Sequence, residues 1–108
     1  MREINAADIT KAVKSMCVSA NCCLNNDVYS ALSEALKNEV SPIGKELLGQ
    51  LIENADIARR DCVPICQDTG LAVVFVTMGQ EVHITGGSLK EAINQGVREG
   101  YTEGYLRK

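Results

Sequence analysis

Residues 64–70 read Pro-Ile-Cys-Gln-Asp-Thr-Gly, setting a thiol, an amide, a carboxylate and a hydroxyl side by side just ahead of an apolar run. A core segment would carry apolar side chains here, and a plain turn needs only Pro64, Asp68 and Gly70. A thiolate beside a carboxylate and a carboxamide suits a metal or cluster site with its own acid–base group. Short polar strings also occur in ordinary loops, so this chemistry alone leaves both readings open.

The other thiols are Cys17, Cys22, Cys23 and Cys62. Five cysteines are an odd number, and the segment Met-Arg-Glu-Ile-Asn-Ala-Ala-Asp has no apolar stretch of the secretory kind, so reduced thiols are expected rather than a disulfide framework. Cys17-x4-Cys22-Cys23 could offer soft metal ligands. It lacks Cys-x2-Cys spacing, however, and the single histidine, His83, is remote, which favours a packing role. Cys62 and Cys66 would be neighbours only on a helix, and Pro64 between them argues against one.

The elements that position the string fall into two groups. Before it, Asn5 caps an expected helix with Ile9, Val13, Met16, Cys17 and Ala20 on one face, ending near 23–25. Asn26 or Asp27 caps a second, with Val28, Leu32, Ala35 and Leu36 inward. Ser41-Pro42 opens a third, whose stripe runs Ile43, Leu47, Leu48, Leu51, Ile52, Ala55, Ala58. The three are expected to pack together and bury these stripes. After Gly70, Leu71 to Met78 reads as a buried strand and Val82 to Thr85 as its return across a Gly79-Gln80-Glu81 turn, a hairpin. His83 is expected as a partly exposed strand residue. Ser88-Leu-Lys-Glu91 is a capping box for a final helix. Along it Gly96, Gly100 and Gly104 recur every fourth residue, each costing about 1 kcal/mol relative to Ala, so close approach of another backbone is expected on that face. The fold class predicted is α+β, mainly helical: three N-terminal helices, a β-hairpin and a C-terminal helix.

The chain has 108 residues, 45% hydrophobic and 23% charged, which fits one domain or part of a larger one. A net charge of −3 with both signs interspersed gives no case for nucleic acid or an anionic membrane. The run Leu71 to Val76 is far too short to span a bilayer. A cytoplasmic location is expected.

The sequence resembles the class I, iron–sulfur fumarate hydratases. The resemblance is carried by Pro64 to Gly70, by Leu-Ala-Val-Val-Phe-Val after it, by Gly79-Gln-Glu-Val-His-Ile84 and by Glu91-Ala-Ile-Asn-Gln-Gly-Val-Arg-Glu-Gly-Tyr-Thr-Glu-Gly-Tyr-Leu-Arg107. It is similar to the α subunit of the two-subunit form and to the sister L(+)-tartrate dehydratase α subunit. The resemblance runs over nearly the whole chain and is strongest from Glu53 onward.

The resemblance implies a 4Fe-4S hydro-lyase, a lyase of the citric acid cycle interconverting fumarate and L-malate. In that family three cysteines hold three irons, and the fourth iron binds substrate oxygens as a Lewis acid. Cys66 matches one cluster ligand. Gln67 matches a substrate hydrogen-bonding residue, and Asp68 matches the group that contacts substrate and helps protonate the departing hydroxyl, a role requiring it to hold a proton when water leaves. Thr69 is a weaker candidate for substrate contact and, with Gly70, shapes the turn.

The departures matter equally. Family α subunits carry two further cluster cysteines in segments beyond 107–108, and Cys17, Cys22, Cys23 and Cys62 do not match those ligands. One cysteine cannot hold a cluster, so residues 1–108 are expected to be an N-terminal domain or fragment of a larger α subunit, inactive and cluster-free alone. A β subunit of the same enzyme is the expected partner, a small dicarboxylate the substrate, and self-association follows from apolar surface left uncovered. Three alternatives stand beside this reading: a tartrate dehydratase α fragment, a non-catalytic helical subunit-interaction module, and a zinc or redox cysteine module.

Overall fold

A computed structural model describes residues 1–66 and 70–107, with the order β1 (Arg2–Asn5), α1 (Ala6–Cys22), α2 (Asn26–Asn38), α3 (Pro42–Asp61), β2 (Val82–Thr85) and α4 (Leu89–Glu103). The class is α+β and mainly helical, as the sequence periodicities demand. Helix starts follow from their caps. Asn5 Oδ1 accepts from the Ala7 N–H at 2.8 Å, Ser41 Oγ from Gly44 at 3.3 Å with Pro42 behind it, and Ser88 Oγ from Glu91 at 3.1 Å. α2 begins one residue earlier than its caps suggest, at Asn26 after Asn25, while Asp27 Oδ1 accepts from the Val28 N–H.

The chain divides into two compact units, Met1–Ser19 with Asp68–Lys108, and Ala20–Gln67. In the first, α4 lies so close to α1 that glycine is the only residue its facing positions accommodate. A Cβ on Gly96 would sit 2.7 Å from the Thr10 carbonyl oxygen and 2.7 Å from Val13 Cβ, and one on Gly100 would sit 3.0 Å from Cys17 Cβ and from the Lys14 carbonyl. The glycine stripe therefore meets another helix of its own chain. Thr10 Oγ1 donates to the Ala92 carbonyl at 2.9 Å, and Lys14 pairs with Glu103 near the far end of the contact. Val13, Cys17, Tyr101 and Leu106 form the buried core, with Ile9, Ile93 and Val97 packed on it. Leu106 reaches that core because the chain turns back after α4, where the Leu106 N–H donates to the Tyr101 carbonyl.

The sheet corrects the expected hairpin. β2 pairs with β1, in parallel, in the register Arg2↔Val82 to Asn5↔Thr85. Arg2 N–H bonds to the Glu81 carbonyl at 2.9 Å and seats this pairing. The 79–82 turn does form, with the Val82 N–H on the Gly79 carbonyl at 3.2 Å, but no strand is assigned across 71–79. Among the described residues β2 pairs with the sequence-distant β1, and no ladder joins it to the adjacent run. The run 71–78 is also exposed rather than buried, Phe75 at 93%. Its 74–78 portion nonetheless borders an apolar cavity of about 330 Å³ shared with Ile4, Ile9, Val13, Met16 and Ile93. His83 is exposed on β2, as expected.

The second unit pairs α2 with α3 across the short 39–41 link, where Glu39 Oε1 accepts from both the Val40 and Ser41 N–H groups at 3.0 Å. Here the expected burial is corrected. Only Ala55 and Ala58 of α3 are buried, α2 buries nothing fully, and Val28, Ile43, Leu47 and Leu51 are exposed. Within the second unit α2 and α3 pack on each other and leave these stripe residues uncovered. Tyr29 OH donates to Asp56 Oδ1 at 2.9 Å and links α2 to α3.

Candidate functional site

The string at 64–70 follows a helix that is stopped abruptly. Cys62 takes the left-handed conformation, φ 54 and ψ 47, at the end of α3, with its N–H returning to the Ala58 carbonyl. Val63 N–H bonds the same carbonyl at 3.1 Å, and Pro64 then cannot continue the helix. This turn folds the chain back along α3. Ile65 N–H donates to the Asn21 carbonyl at 2.8 Å, and Cys66 N–H donates to Asn54 Oδ1 at 2.9 Å.

Two fixed amides thus position Cys66, whose thiol is exposed. Asn54 is the loop-positioning residue that the sequence did not reveal. It lies on α3 twelve residues upstream, and a polar residue on a helix carries no local sign that it will hold a loop. Replacing Asn54 with Ala removes an acceptor worth about 1 kcal/mol, which corresponds to roughly fivefold faster hydrogen exchange at the Cys66 amide with mid-α3 amides unchanged. Uniform acceleration across α3 would show instead that Asn54 supports the helix and not the loop.

Gln67, Asp68 and Thr69 lie outside the described residues. The string's end is described: Gly70 has φ +73, and a Cβ there would stand 3.2 Å from the Arg107 carbonyl oxygen. A left-handed backbone and a crowded neighbour together explain glycine at this position. Beside it, in the first unit, an open cleft of about 430 Å³ is bordered by Ala72, Val97, Arg98, Tyr101 and Thr102, placing a guanidinium and a hydroxyl near the end of the string.

Of the remaining thiols, Cys62 is exposed, while Cys17, Cys22 and Cys23 are buried or half-buried as a packing role predicts. Cys17 is in the core of the first unit, and burial raises its pKa. Cys22 is buried and Cys23 half-buried in the second unit, and burial, then the neighbouring Cys62, raises the Cys22 pKa. Among the described residues no group of three or more His, Cys, Asp or Glu side chains is arranged to hold a metal ion. Cys66 is one accessible sulfur donor of the kind a cluster takes, and the described residues do not supply a complete ligand set.

Comparison with known proteins bears on this geometry. A family model described as Fumarate hydratase (Fumerase) matches residues 10–108. A Methanocaldococcus jannaschii protein with the provisional name L(+)-tartrate dehydratase subunit alpha is 41% identical over 85 residues, covering 78% of this chain and 30% of that protein. Two Escherichia coli proteins, the anaerobic and aerobic class I fumarate hydratases, are 39% and 41% identical over 69 residues, covering 64% of this chain and 12% of each enzyme. The chain belongs to the class I fumarate hydratase family, and it spans less than a third of the length of these relatives. No helix among the described residues is long and apolar enough to cross a membrane.

Proposed function

We propose that this chain supplies one corner of the active site of a 4Fe-4S-dependent hydro-lyase that interconverts fumarate and L-malate. The observation that carries the reading is the family match across 10–108, which includes the Pro64–Gly70 string and the helix that follows it. Cys66 gives one cluster thiolate from a loop pinned by Asn54 and by the Asn21 carbonyl. Gln67 hydrogen-bonds the dicarboxylate, Asp68 delivers a proton to the departing hydroxyl, and Thr69 contributes a secondary contact. When bound, the cluster supplies Lewis-acid polarisation of a substrate oxygen.

In this proposal residues 1–108 are the N-terminal part of an α subunit. The other cluster ligands come from the rest of that subunit, and a β subunit completes the site. The isolated chain is inactive and cluster-free, and the complete enzyme works in the cytoplasm as a step of the citric acid cycle. The word "alpha" in the name of the archaeal relative supports a multi-subunit assembly, and its higher coverage of this chain supports a second reading, L(+)-tartrate dehydration. Anaerobic assay of the complete protein, reconstituted with iron and sulfide, separates the two. Hydration of fumarate with little turnover of tartrate is expected, tartrate turnover alone supports the second reading, and turnover of neither rejects both.

A further inference from the structure

Cys22 ends α1 and Cys62 caps α3, and within the second unit the segments that carry them, 21–24 and 59–65, lie against each other with Cys62 neighbouring Cys22. Main-chain acceptors on either side hold this meeting: the Asn21 carbonyl takes the Ile65 N–H at 2.8 Å, and the Leu24 carbonyl takes Arg59 Nη2 at 2.7 Å. One thiol is accessible and the other is not, since Cys62 is exposed and Cys22 is 1% exposed. The hydro-lyase reading uses neither residue.

We propose that Cys22 and Cys62 are a redox modification site, closing to an intramolecular disulfide with hydrogen peroxide and reopening with a dithiol reductant. The exposed Cys62 reacts first. Its thiolate sulfur attacks one peroxide oxygen, the O–O bond breaks, and hydroxide leaves to be protonated to water, giving a sulfenic acid. Cys22 sulfur then attacks the sulfenic sulfur, the S–O bond breaks, and the hydroxyl leaves as water with the Cys22 proton. Two thiols and one peroxide become one disulfide and two waters, with sulfur oxidised and peroxide oxygen reduced. Burial keeps Cys22 a protonated thiol until the sulfenic acid forms beside it, which suits the resolving partner. The bond would join the last turn of α1 to the residue where the chain turns toward Cys66, four positions on, making that approach sensitive to peroxide.

Treatment of the 108-residue chain with one equivalent of peroxide tests this by non-reducing intact mass, thiol titration and peptide mapping. The expected result is a loss of two hydrogen atoms, two of the five thiols lost to titration, and a single Cys22–Cys62 linkage that persists in Cys23→Ser and is reversed by dithiothreitol. Cys62→Ser, an exposed substitution compatible with folding, abolishes the linkage, and Cys22→Ser leaves Cys62 as a sulfenic acid trapped by dimedone. Linkage of Cys62 to Cys23 or Cys66, disulfide-joined dimers, or a Cys62 sulfenic acid that persists uncrosslinked in the unsubstituted chain would each overturn the proposal.

Discussion

Asp68→Asn lowers kcat of the complete protein by about 10²–10⁴-fold, with KM for the dicarboxylate within a few-fold of its starting value. The amide keeps the size and shape of the carboxyl group but cannot release a proton to a departing hydroxyl, so the loss falls on the chemical step rather than on binding. The substitution also discriminates between two explanations of the same residue. Asn is as good a turn former as Asp. If residue 68 serves only to turn the chain between Cys66 and Gly70, the Asn variant retains full turnover. Steady-state kinetics under anaerobic conditions, with iron content matched between the two proteins, decide between them.

Gly96→Val separates α1 from α4 and costs at least about 3 kcal/mol, at the upper end of what overpacking a core entails. The cause is geometric. The added Cβ alone would lie 2.7 Å from a backbone oxygen and 2.7 Å from Val13 Cβ, and backbone cannot rotate away as the end of a long side chain can. Relief requires the helices to move apart along the whole contact, uncovering Val13, Cys17 and Tyr101. Against a total stability of roughly 5–15 kcal/mol for a domain, this loss removes a large fraction of the folded margin. Gly49 on α3 is the matched control, because no atom lies within 4 Å of a Cβ built there. Gly49→Ala therefore gains about 0.5–1 kcal/mol from helix propensity. Opposite shifts in the denaturant midpoint are expected, and a Gly96→Val protein as stable as the parent would mean that α1 and α4 do not approach this closely.

What was legible in the sequence was local. Ser41-Pro42 and Ser88-x2-Glu91 announce helix starts because the capping hydrogen bond lies within three residues, and Asn5 does the same for α1. The glycine stripe announced a close approach, but its partner was not readable, since the matching surface at Thr10, Val13 and Cys17 is more than eighty residues away. The hairpin failed for the same reason in reverse. Two adjacent runs around a good turn predict each other, yet β1, only four residues long and without a clear alternation, takes the pairing. Of the candidate site, Cys66 is now placed by specific hydrogen bonds, while Gln67, Asp68 and Thr69 rest on the family likeness. Asn54 and the Asn21 carbonyl could not have been found beforehand, because nothing in their immediate sequence distinguishes them from solvated helix residues.

The central claim, that the string at 64–70 is part of an iron–sulfur hydro-lyase site and not a structural turn, is tested most directly at Cys66. The measurement is iron and sulfide per protein in the complete enzyme, reconstituted anaerobically, with and without Cys66→Ser. The expected result is a full cluster complement in the unsubstituted protein and loss of most of the bound iron, with fumarate hydration at background, in the variant. Because the Cys66 thiol is exposed, Ser has no packing consequence there. Equal iron content and equal turnover in the two proteins would contradict the account and return Pro64–Gly70 to the status of a loop.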